Sequence, residues 1–214
     1  SEADKLAFDF VNDADTGDHN IAPQLSGIEI LDVKFSLDGA GTLDLQDAVG
    51  VTHIDLHRID DGATAIIDNI TEATTNHLSI NRSNVTDSNI AFTYLDSALI
   101  NTDDVVTLTL NHAQAGVVSI QESTDDGSLD QGFETINVIS SGDQANTLIS
   151  LTAEDTQRLN ITGSQDLTIQ ALSGINQSSS VGLQNMGGSL TNIDASTFLG
   201  NLKININGLL DAVL

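Results

Sequence analysis

The chain has 214 residues, 31 of them Asp or Glu against 6 Lys or Arg, and a formal net charge of −25, a balance that repels phosphate backbones and anionic membrane surfaces and so argues against nucleic acid and lipid as partners. With no cysteine it has neither disulfides nor thiol chemistry, and with 6 Phe, 1 Tyr and no Trp its core must be aliphatic. No apolar run approaches the ~18 residues of a membrane span, and no basic segment leads into an apolar core at the start.

The first predicted strand is Lys5 to Val11, "KLAFDFV", in which apolar and polar residues alternate. An acidic loop follows, "NDADTGDHN", with Asp13, Asp15 and Asp18 around Gly17. Carboxylates so spaced can converge on a hard cation at roughly 2.3–2.6 Å, although the glycine and bidentate glutamate of an EF-hand are missing. Alternation resumes in "IEILDVKF", "TLDL" and "HIDLHRI". The last places His53, Asp55 and His57 on one strand face; residues two apart on a strand are ~6.5 Å from each other, too far for all three to ligate zinc well, so a polar outward face is expected. "HLSI" and "NIAFTY" complete the first half.

The second half opens with "DVVTLTL" and "VVSI", then a second acidic stretch, "STDDGSLDQG", carrying Asp125, Asp126 and Asp130. "ETINVI", "NTLISL", "RLNI", "DLTIQAL" and "LKININ" follow. Short period-2 segments bounded by Gly, Asn, Asp and Ser predict an all-β protein of many short strands; helical turns are expected only at Ala153–Leu159 and Asp194–Gly200.

The halves repeat one another. "GIEILDV", Gly27 to Val33, returns 105 positions on as "GFETINV", Gly132 to Val138. "DKLAFDF" from Asp4 aligns with "DVVTLTL" from Asp104, and the stretch from Leu43 aligns loosely with that from Ile149. Leu78 to Tyr94 falls without a gap on Leu190 to Ile206, an offset of 112. Two tandem β-rich units are expected, residues 3–102 and 103–214, solenoid-like or sandwich-like; the strand spacing leaves both open.

Glu29 and Glu134 recur in the repeated phrase, and one copy per unit points to bonding at a strand start rather than to a catalytic pair. No G-x-S-x-G elbow and no phosphate-binding glycine loop is present. An acidic loop ahead of each G-x-E strand favours calcium, held by Asp13, Asp15, Asp18, Asp125, Asp126 and Asp130. So much uncompensated charge also calls for divalent cations or salt.

The phrases "ADKLAFDF...LSGIEILDV", "DDVVTLTL...DQGFETINV" and "SLTNIDASTFLGNLKINI" resemble the β-strand-rich regions of bacterial surface-layer proteins and related giant secreted proteins carrying RTX calcium repeats. The G-G-x-G-x-D signature of the RTX block is absent, "NMGGSLTNID" having the paired glycines alone, so the ligands of that block do not carry over. The opening Ser1 to Leu6 reads as the boundary of an excised fragment. The resemblance implies an extracellular, calcium-dependent structural protein exported by a C-terminal signal. The expected function is non-enzymatic: a module of a surface-layer lattice that associates with other copies of its parent, and with cell-surface polysaccharide through other regions. A spacer or stalk of a giant adhesin or biofilm-matrix protein is the alternative. A polysaccharide-active enzyme is more distant, because the six cationic residues are scattered singly along the chain.

Overall fold

The computed structural model describes residues 3–11, 19–60, 62–83, 86–123, 131–170, 182–184 and 189–206. Alternation along the chain becomes alternation between two sheets. The first takes β1 (Lys5–Val11), β4 (Ile30–Ser36), β7 (His53–Ile59), β9 (His77–Asn81), β11 (Val105–Asn111), β13 (Thr135–Ser141), β15 (Arg158–Gly163) and β18 (Asn192–Asp194), in that order. The second takes β2 (His19–Ile21), β5 (Ala40–Asp44), β8 (Thr64–Ile70), β10 (Asn89–Tyr94), β12 (Gln114–Glu122), β14 (Asn146–Ala153), β16 (Leu167–Ile169) and β19 (Leu202–Ile204), and β17 (Gly182–Gln184) also pairs with β14. Two short strands, β3 (Leu25–Ser26) and β6 (Ala48–Val49), pair separately.

Every pairing between these strands is parallel, so no hairpin joins neighbours. Each strand reaches its partner one full circuit later, with a strand of the other sheet as the crossover. The described residues form a β-solenoid of eight two-strand rungs, and the sandwich alternative is excluded by the parallel pairing.

Inward residues stack as aliphatic ladders. Leu6, Leu31, Ile54, Leu78, Leu108, Val138 and Ile161 form one in the first sheet; Ile21, Leu43, Ile67, Phe92, Ile120 and Ala153 form one in the second. They meet in a single core, where each buried Leu or Ile contributes ~1.5–3 kcal/mol. Phe10 stacks on Phe35 with ring centroids 4.7 Å apart, and Tyr94 meets Phe133 edge-on at 4.9 Å.

The repeated phrases lie four rungs apart. Leu6 pairs with Leu31 as Val106 pairs with Ile136, and Leu31 pairs with Ile54 as Ile136 pairs with Leu159. Leu78 pairs with Ile54 as Ile193 pairs with Leu159, so the equivalent of Leu78 is Ile193, three residues beyond the Leu190 of the gapless alignment. Residues 3–102 contribute the first four rungs, and β9 and β10 pair with β11 and β12 across the join at 102.

Neither expected helical turn forms. Ala153 ends β14, Asp155 takes a left-handed conformation with φ 50°, and β15 starts at Arg158; Asp194 ends β18 and is followed by a turn. The chain's helical element among the described residues is a 3-10 turn at Asp96–Ala98. The corner after the first-sheet strand is left-handed in three successive rungs, at Arg82, His112 and Gly142, with φ of 56°, 53° and 96°.

Candidate functional site

Asp13, Asp15 and Asp18, and Asp125, Asp126 and Asp130, lie outside the described residues. Their flanks are described. Val11 ends a first-sheet strand and His19 begins a second-sheet strand, whereas Glu122 ends a second-sheet strand and Gln131 leads towards the first sheet. The two acidic stretches therefore leave the solenoid at different corners and are not equivalents of one another, contrary to the expectation from sequence.

At the neck of the second stretch stands a carboxylate that sequence reasoning passed over. Glu122 is fully buried, paired in the ladder with Tyr94, and its Oε2 accepts a hydrogen bond from the Gln131 N–H at 2.8 Å. Its signal was legible: Val118, Ile120 and Glu122 share one phase of the alternation, and that phase points inward. Glu154 lies close enough to feel it. Burial pushes the Glu154 carboxyl above the ordinary carboxylate range, and the charges of Glu122 and Asp155 push it further. Glu154 Oε2 is itself shielded from solvent and has no hydrogen-bond partner.

Tyr94 closes this corner from inside. Its hydroxyl donates to the Thr75 carbonyl at 2.6 Å, its own carbonyl accepts from the Ser123 N–H at 2.6 Å, and burial raises its phenol so that it stays a neutral donor. The described residues that flank the acidic stretch thus include two carboxylates whose charges oppose one another.

Glu29 and Glu134 do the same job in both halves. Glu29 Oε2 accepts from the Asp4 N–H at 2.7 Å and Glu134 Oε2 from the Asp104 N–H at 2.8 Å. Each Glu carbonyl then accepts from two amides of the following rung, Thr52 and His53 in one case, Gln157 and Arg158 in the other, at 2.9 to 3.0 Å. Each residue clasps three rungs together.

The outer face of the first sheet carries the polar residues of the "HIDLH" segment. The ladder Lys5, Ile30, His53, His77, Thr107, Asn137, Asn160 and Asp194 runs its full height. The rings of His53 and His77 stack with centroids 4.5 Å apart. Desolvation, followed by the neighbouring His77, holds His53 below the ordinary imidazole value. Lys5 binds Asp32 at 2.8 Å, and His57 Nδ1 lies 3.8 Å from the other Asp32 oxygen. The Ser79 hydroxyl donates to Asp55 and accepts from the Asn81 amide at 2.9 Å. Among the described residues no three His, Asp or Glu side chains converge as a metal site would require, and no helix is long and apolar enough to cross a membrane.

No family model, curated protein or solved structure matches the chain.

Proposed function

We propose that the chain is a calcium-dependent structural module of a bacterial surface layer, secreted to the cell exterior, where it forms or supports a protein lattice with other copies of its parent. The observation that carries this reading is the corner at Glu122 and Glu154. Glu122 ends the strand before the second acidic stretch, and the Glu154 carboxyl is disfavoured as an anion by burial and by the charge of Glu122, inside a chain of net charge −25. A divalent cation bound there and along the acidic stretches relieves both the local and the global repulsion. Calcium at ~100 times a site's dissociation constant adds about 2.7 kcal/mol to folding.

The test is a thermal melt and a calorimetric titration of chelator-treated protein. Calcium should raise the melting temperature, and substituting Asp125, Asp126 and Asp130 with Asn should reduce the heat. Substituting Asp13, Asp15 and Asp18 tests the first stretch separately. Melting curves indifferent to calcium and chelator would sink the reading.

A stalk or spacer segment is the second reading, favoured by the one-directional stacking of the rungs, which makes length the quantity the fold controls. Electron micrographs of calcium-treated parent protein separate the two: lateral sheets support a lattice, isolated rods a stalk.

A further inference from the structure

Among the described residues the first sheet begins at β1 and ends at β18. Among the described residues β1 pairs only with β4, and β18 only with β15. Interior rungs bury their inward side chains completely, Leu78, Leu108 and Leu110 being at most 1% exposed. At the edges inward apolar side chains meet solvent: Ile21 is 41% exposed at one end, Ile193 41% and Leu202 37% at the other. Leu6 and Phe8 are only partly covered.

The chain contains its own template for closing these edges. The four-rung repeat makes β9 the equivalent of β18 and β11 the equivalent of β1, and β9 and β11 are joined in parallel inside the molecule. In that internal join Leu78 pairs with Leu108 and Ser79 with Thr109. Carrying the equivalences across sets Ile193 beside Phe8 of another copy, and Asp194 beside Asp9.

We infer that the chain stacks end to end on a second copy of itself, the free edge of β18 pairing in parallel with the free edge of β1, with Ile193 entering the aliphatic ladder beside Phe8. This rests on the self-associating structural role proposed above and assigns it a surface and a direction. Such a contact is head-to-tail and leaves one edge free at each end, so it grows into open fibres rather than closed dimers. The edge strands supply unpaired backbone groups for the join. It also has a built-in brake: Asp194 would face Asp9, which Lys34 Nζ contacts at 3.1 Å, and like charges opposite one another across strands are unfavourable. Stacking should therefore require salt or a divalent cation to screen the pair.

Sedimentation and electron microscopy of the purified chain, with salt raised from roughly 0.01 M to 1 M and with added calcium, test the idea. The wild type should pass from monomer to species longer than dimers, and Asp194→Asn should do so at lower salt. Phe8→Lys and Ile193→Lys should each remain monomeric alone, yet a mixture of the two should give one-to-one heterodimers, because each variant keeps one intact edge. Circular dichroism checks folding, and Ala7→Pro, which removes the edge amide equivalent to the Thr107 N–H that donates to the Asn76 carbonyl in the internal join, replaces Phe8→Lys if the latter does not fold. Calcium-driven assembly that neither end variant alters, or a mixture that forms no heterodimer, overturns the stacking and leaves the lattice reading standing. A wild type monomeric in every condition overturns both.

Discussion

The amide of Asp104 donates to the carboxylate of Glu134 across 2.8 Å, thirty residues along the chain but one rung away. Asp4 and Glu29 repeat the contact in the first half. A hydrogen bond to a charged acceptor is typically worth ~1.5–3 kcal/mol, so Glu134→Ala should lower stability by about 2 kcal/mol. Glu134→Gln should cost about half that, because its amide oxygen still accepts. The double variant of Glu29 and Glu134 should show the two losses adding, since no residue is shared between the clasps. Urea midpoints measure all of these, and an unchanged midpoint in Glu134→Ala would refute the clasp.

The two glycines of the repeated phrase are held for different reasons, and substitution should separate them. Gly27 has φ of 69° with nothing within 4 Å of where a Cβ would stand, so Gly27→Ala meets only backbone strain, about 1 kcal/mol. A Cβ on Gly132 would lie 2.1 Å from the Glu154 carbonyl oxygen. Gly132→Ala must push two rungs apart and should cost about 3 kcal/mol. Equal losses in chemical denaturation would contradict the assignment.

Asn146 is fully buried and fully occupied. Its Oδ1 accepts from the Ala113 N–H at 2.7 Å, and its Nδ2 donates to Ser140 Oγ at 2.8 Å and to the Ser141 carbonyl at 3.0 Å. Asn146→Ala strands a buried amide and two acceptors and should destabilise by about 3 kcal/mol. Asn146→Leu should be no better despite its volume. Hydrogen exchange at Ala113 should accelerate in both variants; protection retained there would show that another group has replaced the side chain.

Acid should act on this protein in two opposite steps. His53 has a folded pKa below its ordinary value of about 6.5 because burial and His77 disfavour its charge. Its contribution is present above that ordinary value and is lost as pH falls from there through the lower folded value, so stability should drop on going below neutrality, and His53→Gln should lessen the drop. Glu154 has the reverse sign. Its folded pKa is raised, so its contribution is fully present below the unfolded value and is lost as pH rises through the folded one. Glu154→Gln should therefore raise stability at neutral pH without calcium, and with it the melting temperature, the gain being under about 1 kcal/mol because the side chain is part exposed. A melting temperature lowered by this substitution in chelator would oppose the account.

The bounds of β1, β7 and β10 follow from sequence alternation alone, as does the outward face shared by His53, Asp55 and His57. β8 escaped because Ile66 sits beside Ile67 and Asn69 bulges with φ of 53°, which breaks the period-2 pattern. Parallel pairing was not legible. Successive rungs of the outer ladder are separated by 23 to 34 residues, and so irregular a step hides a solenoid whose corners differ in length. The same corners displace the equivalence of Leu78 from Leu190 to Ile193. Glu122 was missed although it continues the inward phase of Val118 and Ile120, because the predicted strand "VVSI" stops two residues short of it.

A sheet crossed by no gap at the middle of the chain turns rung number into height. Parallel neighbours are set ~4.8 Å apart, so eight rungs measure roughly 34 Å from first strand to last, and each four-rung repeat advances the object by about 19 Å. Corner loops of any length leave that increment unchanged. The chain is a ruler, graduated in backbone hydrogen bonds, and a longer protein built from it could set the distance between two attached parts by the number of repeats alone.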